Sequence, residues 1–404
     1  MSYKASIGFI FVTILVDVIG IGIIIPVIPS LLDSLLGTGL SDAAKYGGWL
    51  IFTFAFMQFL FAPVLGTLSD KFGRRPVLLL ALLGLGFDFL IHALAPTITW
   101  LFVGRILAGI FGASFTVASA YIADISPPEK KAQNFGIMGA AFGLGFIIGP
   151  VIGGVFAQYG VRVPFYVAAG LSFLNVIYGF FVLPESLAPK NRREIAWKRA
   201  NPVSSLLHLR SYGSILGLAA AFFLANIAAQ SLQSTWTFFT MLKFNWKEDM
   251  VGYSLAVVGI VVAIVQGGLI KHAVKFFGQR KTVYLGFFLW TIGMFLFAFA
   301  PSGWMLMLFI IPYCLGGIAG PTVQSIVSNK VPDNEQGELQ GALTSLISVS
   351  AIIGPLVMTG IFYFFTHDEA PFYFPGSPFF LGGLLMCAAW FVAYFTMKNF
   401  PDVE

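Results

Sequence analysis

Apolar residues fill this chain in stretches of twenty or more, and short polar clusters cut it at regular intervals. The runs lie near 6–32, 46–68, 76–95, 98–122, 134–158 and 163–183, then near 213–241, 250–274, 281–300, 303–327, 338–365 and 375–397. A helix needs about 20 apolar residues to cross the hydrocarbon core of a bilayer. The pattern therefore predicts an all-α membrane protein with twelve transmembrane helices in two sets of six. Residues 1–183 form the first half and 213–404 the second. The basic, proline-punctuated segment 184–212 between them reads as a linker.

Composition makes the membrane reading firm. Of the 404 residues 58% are hydrophobic and 10% charged, with 44 Phe, more apolar surface than a soluble fold could cover with polar groups. The net charge is +5, and the cations sit in loops beside the apolar runs rather than in a patch, so nothing indicates a nucleic-acid partner. With the N-terminus placed inside, eighteen of the 23 Lys and Arg fall on the inner side and four outside, and Arg105 falls within a span. That imbalance predicts cytoplasmic N- and C-termini. The first run is longer than the apolar part of a signal peptide and lacks a small-x-small cleavage site, so it reads as the first span. Cys314 and Cys387 lie far apart in apolar runs and suggest neither a disulfide framework nor a metal site.

The two halves share a register. Phe72-Gly73 and Phe277-Gly278 are 205 residues apart, as are Gly149-Pro150 and Gly354-Pro355, Pro127 and Pro332, and Gly136 and Gly341. Four pairs at one offset predict a duplicated six-helix unit. Parallel repeats of this kind are a transporter architecture, with the substrate site between the halves near the bilayer midplane.

Against this apolar background the charged residues stand out. The stretch "GTLSDKFGRRP" (66–76) crowds Asp70, Lys71, Arg74 and Arg75 between two spans. Its cations fit positive-inside anchoring, but an acid adds little to topology. Asp70 can instead pair with Arg74, with Asp124 at the end of the fourth span within the same network. Within the spans, Asp17, Asp88 and Arg105 fall at one depth, about 16–19 Å from the inner face at about 1.5 Å per residue. Charge at that depth is costly, so such groups face a cavity and carry function. A carboxylate that gains and loses water or a cation can bind and release a proton, as proton coupling requires. The bland alternative is a permanent pairing of Arg105 with one Asp that merely holds the bundle. His92, four residues from Asp88, reads as a polar packing residue.

Small residues and amides supply two more patterns. "GLGFIIGPVIGG" (143–154) offers Gly145, Gly149, Pro150, Gly153 and Gly154 for close helix packing and a bend. In "NIAAQSLQSTWTFF", Asn226, Gln230 and Gln233 form one helical stripe with Trp236 nearby. Amides facing lipid are expensive, so the stripe faces protein or a substrate cavity. Gln58, Gln266 and Gln324 invite the same argument.

These stretches resemble known signatures. "GTLSDKFGRRP" resembles the loop between helices two and three of the major facilitator superfamily, and "GRILAGIFGAS" (104–114) its fourth-helix motif. "GLGFIIGPVIGG" is similar to the fifth-helix signature of proton-coupled drug antiporters. With "DVIGIGIIIPVIP" (17–29), the chain resembles the tetracycline-efflux type of drug:proton antiporter. The resemblance implies alternating access driven by the proton gradient with no cofactor, and a latch of Asp70, Arg74, Arg75 and Asp124 on the cytoplasmic side. It also implies a multi-pass protein of the bacterial inner membrane, acting as a monomer on a small molecule. One departure matters. The tetracycline exporters carry a further carboxylate in helix nine and a histidine in helix eight, and the register of "GQRKTVYLGF" puts Trp290 and Val262 there.

Three functions remain open on the sequence: an exporter of small amphipathic molecules, a facilitator or proton symporter importing a small solute, and a non-transporting receptor or scaffold. The fifth-helix signature favours the first. No P-loop occurs, and no catalytic arrangement is visible, so an enzyme is not expected.

Overall fold

Lipid offers backbone N–H and C=O groups no partner, so a run that crosses it closes its own hydrogen bonds as helix. The computed structural model describes residues 3–112, 114–127, 130–189, 192, 215–331 and 336–398. Its helices, in chain order, are α1 (Tyr3–Ile24), α2 (Ile28–Leu36), α3 (Leu40–Phe72), α4 (Arg74–Leu94), α5 (Ile98–Phe111), α6 (Ser114–Ile125), α7 (Lys131–Ala157) and α8 (Val163–Val182). Then follow α9 (Leu216–Phe244), α10 (Glu248–Ile264), α11 (Ile270–Phe299), α12 (Gly303–Leu315), α13 (Ala319–Asn329), α14 (Gln336–Phe364) and α15 (Ser377–Lys398). No strand occurs among the described residues.

Eleven helical stretches among the described residues are long and apolar enough to span a membrane. One, Glu248–Phe299, has 52 residues and leaves helical geometry at Gly278, whose φ is 76° and ψ 163°. It therefore contains both the eighth and the ninth predicted runs. Other boundaries differ because hydropathy does not report hydrogen-bond continuity. The first run, expected to reach residue 32, ends as helix at Ile24; Pro26, with no N–H to give, sits in the turn before α2. The fourth run breaks between α5 and α6. The tenth breaks at a single 3₁₀ turn, Gly316–Ile318, and the eighth ends in a π-helical turn, Val265–Leu269. Most of the predicted linker 184–212, and Pro332 of the repeat, lie outside the described residues.

Two compact units emerge. One comprises 1–37, 53–201 and 247–256; the other comprises 38–52, 202–246 and 257–404. The first has a core of Ile10, Ile14, Leu65, Leu78, Leu82 and Tyr121, and the second one of Leu218, Phe222, Phe287, Val323 and Met386. Large side chains such as Phe181 and Phe276 remain exposed, as lipid-facing helix surfaces would be. Some local features recur at the 205-residue offset. Gly73 (φ 107°) and Gly278 (φ 76°) both have positive φ, Pro150 and Pro355 both lie inside helices, and the break after Phe111 matches the turn at Gly316.

Candidate functional site

The charged groups of the first unit form two clusters. In the deeper one, α4 and α5 run side by side, and Gly104 lets them approach: a Cβ there would lie 2.7 Å from Asp88 Oδ1 and 2.9 Å from the His92 ring. Through that gap Arg105 of α5 donates to Asp88 Oδ2. Asp88 is fully buried, as is His92 one turn further along α4, whose Nδ1 lies 3.1 Å from Asp88 Oδ1. Burying the carboxylate alone would be prohibitive; a guanidinium partner and a second nitrogen make it tolerable.

Asp17 takes a different partner. Its Oδ2 accepts a hydrogen bond from Ser114 Oγ at 2.8 Å, the first residue of α6, and its Oδ1 has no protein donor. Gln58 of α3 donates to the carbonyl of Gly112 at 2.6 Å, bracing the backbone where α5 ends. The Arg105 guanidinium lies 5.8 Å from the centre of the Phe54 ring, also on α3. The three residues expected at one depth thus form an Asp88–Arg105 pair, a pairing of Arg105 with one Asp as the sequence left open, and an Asp17–Ser114 pair around the α5–α6 break. Sequence reasoning did not foresee the contacts of Ser114, His92 and Gln58. Their signal was polarity at positions where an apolar side chain would be cheaper.

The second cluster lies at the junction of α3 and α4. Gly73 ends α3, and its positive φ turns the chain so that Arg74 opens α4. The Arg74 side chain reaches Asp70 Oδ1 at 2.6 Å and Asp124 Oδ2 at 3.0 Å, and donates to Ser69 Oγ at 2.6 Å. This network agrees with the grouping of Asp70, Arg74 and Asp124. Arg75 does not belong to it: its guanidinium donates to the carbonyl of Phe180 and lies over that ring. Glu185, which the sequence did not single out, accepts from the backbone N–H of Arg74 at 2.9 Å and of Arg75 at 3.3 Å. A carboxylate there satisfies unpaired N–H groups and complements the helix dipole. Ser186 beside it donates to Asp124 Oδ2 at 3.1 Å.

The glycines of α7 form a ridge against α1. A Cβ on Gly145 would meet Val18 at 2.8 Å, and one on Gly149 would meet the Ile19 carbonyl at 2.7 Å and Gly22 Cα at 2.8 Å. Gly153 packs on Ile23 in the same way, and Gly154 faces Glu248. Pro150 packs beside Gly22. Spacing by four lets the backbones touch, which is how helices associate tightly in lipid. Gly149→Val should therefore force α1 and α7 apart and destabilise the protein by about 1–3 kcal/mol, seen as a lower thermal midpoint in detergent. Gly143→Ala, where a Cβ meets nothing within 4 Å, should leave the midpoint unchanged.

In the second unit the amide stripe is only partly an open surface. Gln233 is exposed, Asn226 and Gln324 are half-buried, and Gln230 is buried where a Cβ on Gly354 would strike its side chain. Asn226 Nδ2 donates to the Phe222 carbonyl of its own helix at 2.8 Å. Trp236, near that stripe in sequence, lies in the core. It is 1% exposed and packs edge-on to Phe297 and Phe379; as the largest side chain on that helix face, it fills the core. Trp290 is half-buried and meets Tyr313 edge-on, with its rings' centres 6.0 Å apart, beside Gly316. Val262 is half-buried. Among the described residues no cluster of three or more His, Cys, Asp or Glu could hold a metal ion.

The profile of the Major Facilitator Superfamily matches residues 10–276 and 270–404. The tetracycline resistance protein of class C from Escherichia coli is 41% identical over 350 residues, 87% of this chain and 88% of that protein. The class E protein from Escherichia coli is 40% identical over 352 residues, 87% and 86% of the two chains. Among solved structures, a bacterial homologue of the human lysosomal transporter Spinster, in an inward-facing and occupied conformation, superposes with a TM-score of 0.78. It is 15% identical and covers 98% of this chain and 97% of its own.

Proposed function

The chain belongs to the Major Facilitator Superfamily, and from that premise we propose that it is a proton-coupled exporter of small amphipathic molecules. As a member of that family it is a multi-pass membrane transporter and not an enzyme. The proposal adds direction, coupling and substrate class. It works by alternating access, takes its energy from the proton gradient without a cofactor, and acts as a monomer in a bacterial inner membrane with both termini cytoplasmic. Its two six-helix halves descend from one unit, a reading supported by the paired positive-φ glycines at Gly73 and Gly278.

One observation carries the coupling. A pair of the fully buried Asp88 with the partly buried Arg105, and a buried Asp17 with one unpartnered oxygen, lie on helices of the same unit. Fixed structure alone would not need a carboxylate acceptor left open at such depth. Asp17, Asp88 and Arg105 are then the groups that exchange protons against substrate. Asn226, Gln230, Gln233 and Gln324 are proposed substrate contacts, of which Gln233 is the most accessible. The test is a screen in everted vesicles with a pH-sensitive dye: adding a transported compound to energised vesicles should release protons from the lumen. A screen of cationic dyes, neutral aromatics and tetracycline that produces no substrate-dependent proton flux would refute proton-coupled export.

The α3–α4 junction is proposed as the cytoplasmic latch, with Glu185 holding the end of α4 in place. Asp70 is partly exposed, its side chain 41% accessible, so its bond to Arg74 should contribute only about 0.2–1 kcal/mol. Asp70→Asn should slow turnover while sparing substrate binding. It should also speed amide hydrogen exchange across residues 66–77 by about two- to fivefold. Unchanged exchange with normal turnover would leave the loop only its role in topology.

A further inference from the structure

The imidazole of His92 faces the carboxylate of the deep ion pair. Its Nδ1 lies 3.1 Å from Asp88 Oδ1 and 2.9 Å from the Asp88 carbonyl oxygen. Both neighbours are acceptors, so Nδ1 is the nitrogen that carries the hydrogen in the neutral ring. The other nitrogen, Nε2, is then a bare lone pair. It is buried and has no hydrogen-bond partner, while the ring stacks on Phe165 of α8 at 5.7 Å. A residue placed only for packing would not require a titratable ring with its acceptor nitrogen unpaired, because that costs free energy.

We propose that His92 binds the coupling proton on Nε2 and controls how tightly Asp88 holds Arg105; this rests on the reading of Asp88 and Arg105 as coupling groups. The chemistry is a simple protonation: neutral imidazole plus one proton gives imidazolium, and release reverses it. In the neutral state Asp88 belongs to Arg105. In the imidazolium state the same carboxylate lies between two cations, the ring 3.1 Å from Oδ1 and the guanidinium on Oδ2, and Arg105 is freed to move. The charged groups around the ring are few among the described residues. Its own helix offers Asp88, and α5 offers Arg105. The loop before α8 offers Arg162, whose guanidinium donates to the carbonyls of Ala93 at 2.8 Å and Ala95 at 2.7 Å. From α8 Phe165 stacks on the ring.

Position along α4 gives the direction of proton entry. His92 is four residues, about 6 Å of helix rise, beyond Asp88 towards the end at Leu94, which is 60% exposed. In the proposed topology that end faces outside. A proton moving inward reaches His92 before Asp88, as exchange for an exported molecule demands.

Two measurements test this. The chain contains four histidines, so ¹⁵N-histidine NMR of the full-length protein in nanodiscs is tractable, with His92→Asn identifying the signal. The His92 ring signals should show protonation at Nε2 on acidification, at a lower pH in Asp88→Asn than in the unmodified protein. A ring that stays neutral throughout overturns the proposal, and so does a midpoint that ignores Asp88. If Asp88→Asn does not fold, Asp88→Glu takes its place, with any midpoint shift beyond experimental error as support and none as refutation. The second measurement uses ethidium and tetracycline as probes in vesicles bearing His92→Asn, whose amide keeps a donor towards Asp88 but cannot take the proton. Proton-driven accumulation should fall about tenfold or more, while probe–probe exchange without a gradient stays within about twofold. Equal losses in both, or none in either, overturn the proposal. Should the wild-type protein accumulate neither probe, the exporter reading fails, and the NMR titration still decides whether His92 binds a proton against Asp88.

Discussion

Asp17→Asn is expected to reduce proton-driven accumulation of any transported compound to background while leaving a folded protein that still binds it. The substitution changes one thing. The amide has the volume of the carboxyl group, and its oxygen can still accept from Ser114 Oγ, which now bonds Asp17 Oδ2 at 2.8 Å. It cannot ionise. Asp17 is 7% exposed and has no cationic partner among its described contacts, so neutralising it leaves no orphaned charge, and the thermal midpoint should not fall. Asp88→Asn provides the contrast. Removing that charge leaves the Arg105 guanidinium buried without its counter-ion, at a cost of about 3–5 kcal/mol, and the protein should lose stability and transport together. Purified variants compared by thermal melting, probe binding and vesicle transport separate the two roles. If Asp17→Asn still concentrates substrate under an imposed proton gradient, Asp17 is not the coupling site.

Much of this arrangement was legible in the sequence, for physical reasons. Spans announce themselves because lipid tolerates little else, and the network of Asp70, Arg74 and Asp124 was visible because a carboxylate has no topological use in a basic loop. The glycines at 145, 149 and 153 declared a close contact by their spacing of four. What stayed hidden depends on helix rotation and hydrogen-bond continuity. Asp17 and Asp88 lie at one depth, and depth cannot say which of them faces Arg105; that is settled by Gly104, whose missing side chain admits Asp88. Trp236 follows the amide stripe in sequence but turns into a cluster of Phe rings. Glu185 begins a segment whose composition reads as linker, and its role appears only when its oxygens meet the backbone of Arg74 and Arg75. The breaks at Pro26 and after Phe111 interrupt hydrogen bonding without interrupting hydropathy.

The second large effect concerns specificity. Expressed in a susceptible host, this protein should raise tolerance to tetracycline little or not at all, while raising tolerance to flat apolar cations, even though its relatives of classes C and E are tetracycline resistance proteins. Asp17, Asp88 and Arg105, the proposed coupling groups, all lie in the first unit. At the positions where the resemblance set out above implies a carboxylate and an imidazole, this chain has Trp290 and Val262. The indole of Trp290 stands edge-on to Tyr313 beside the break at Gly316, and Val262 offers only methyl groups. A polar, metal-chelating ligand would leave its groups unpaired there, at about 1–3 kcal/mol each. Two such losses amount to roughly 30-fold or more in affinity. An aromatic cation would instead meet an indole face and apolar walls, a favourable pairing. Growth inhibition by tetracycline and by ethidium, measured side by side with and without the protein, gives the answer. Trp290→Asp combined with Val262→His should shift the preference towards tetracycline. Strong tetracycline resistance from the unmodified protein would show that these two positions do not govern recognition, and that the ligand is held by groups elsewhere in the chain.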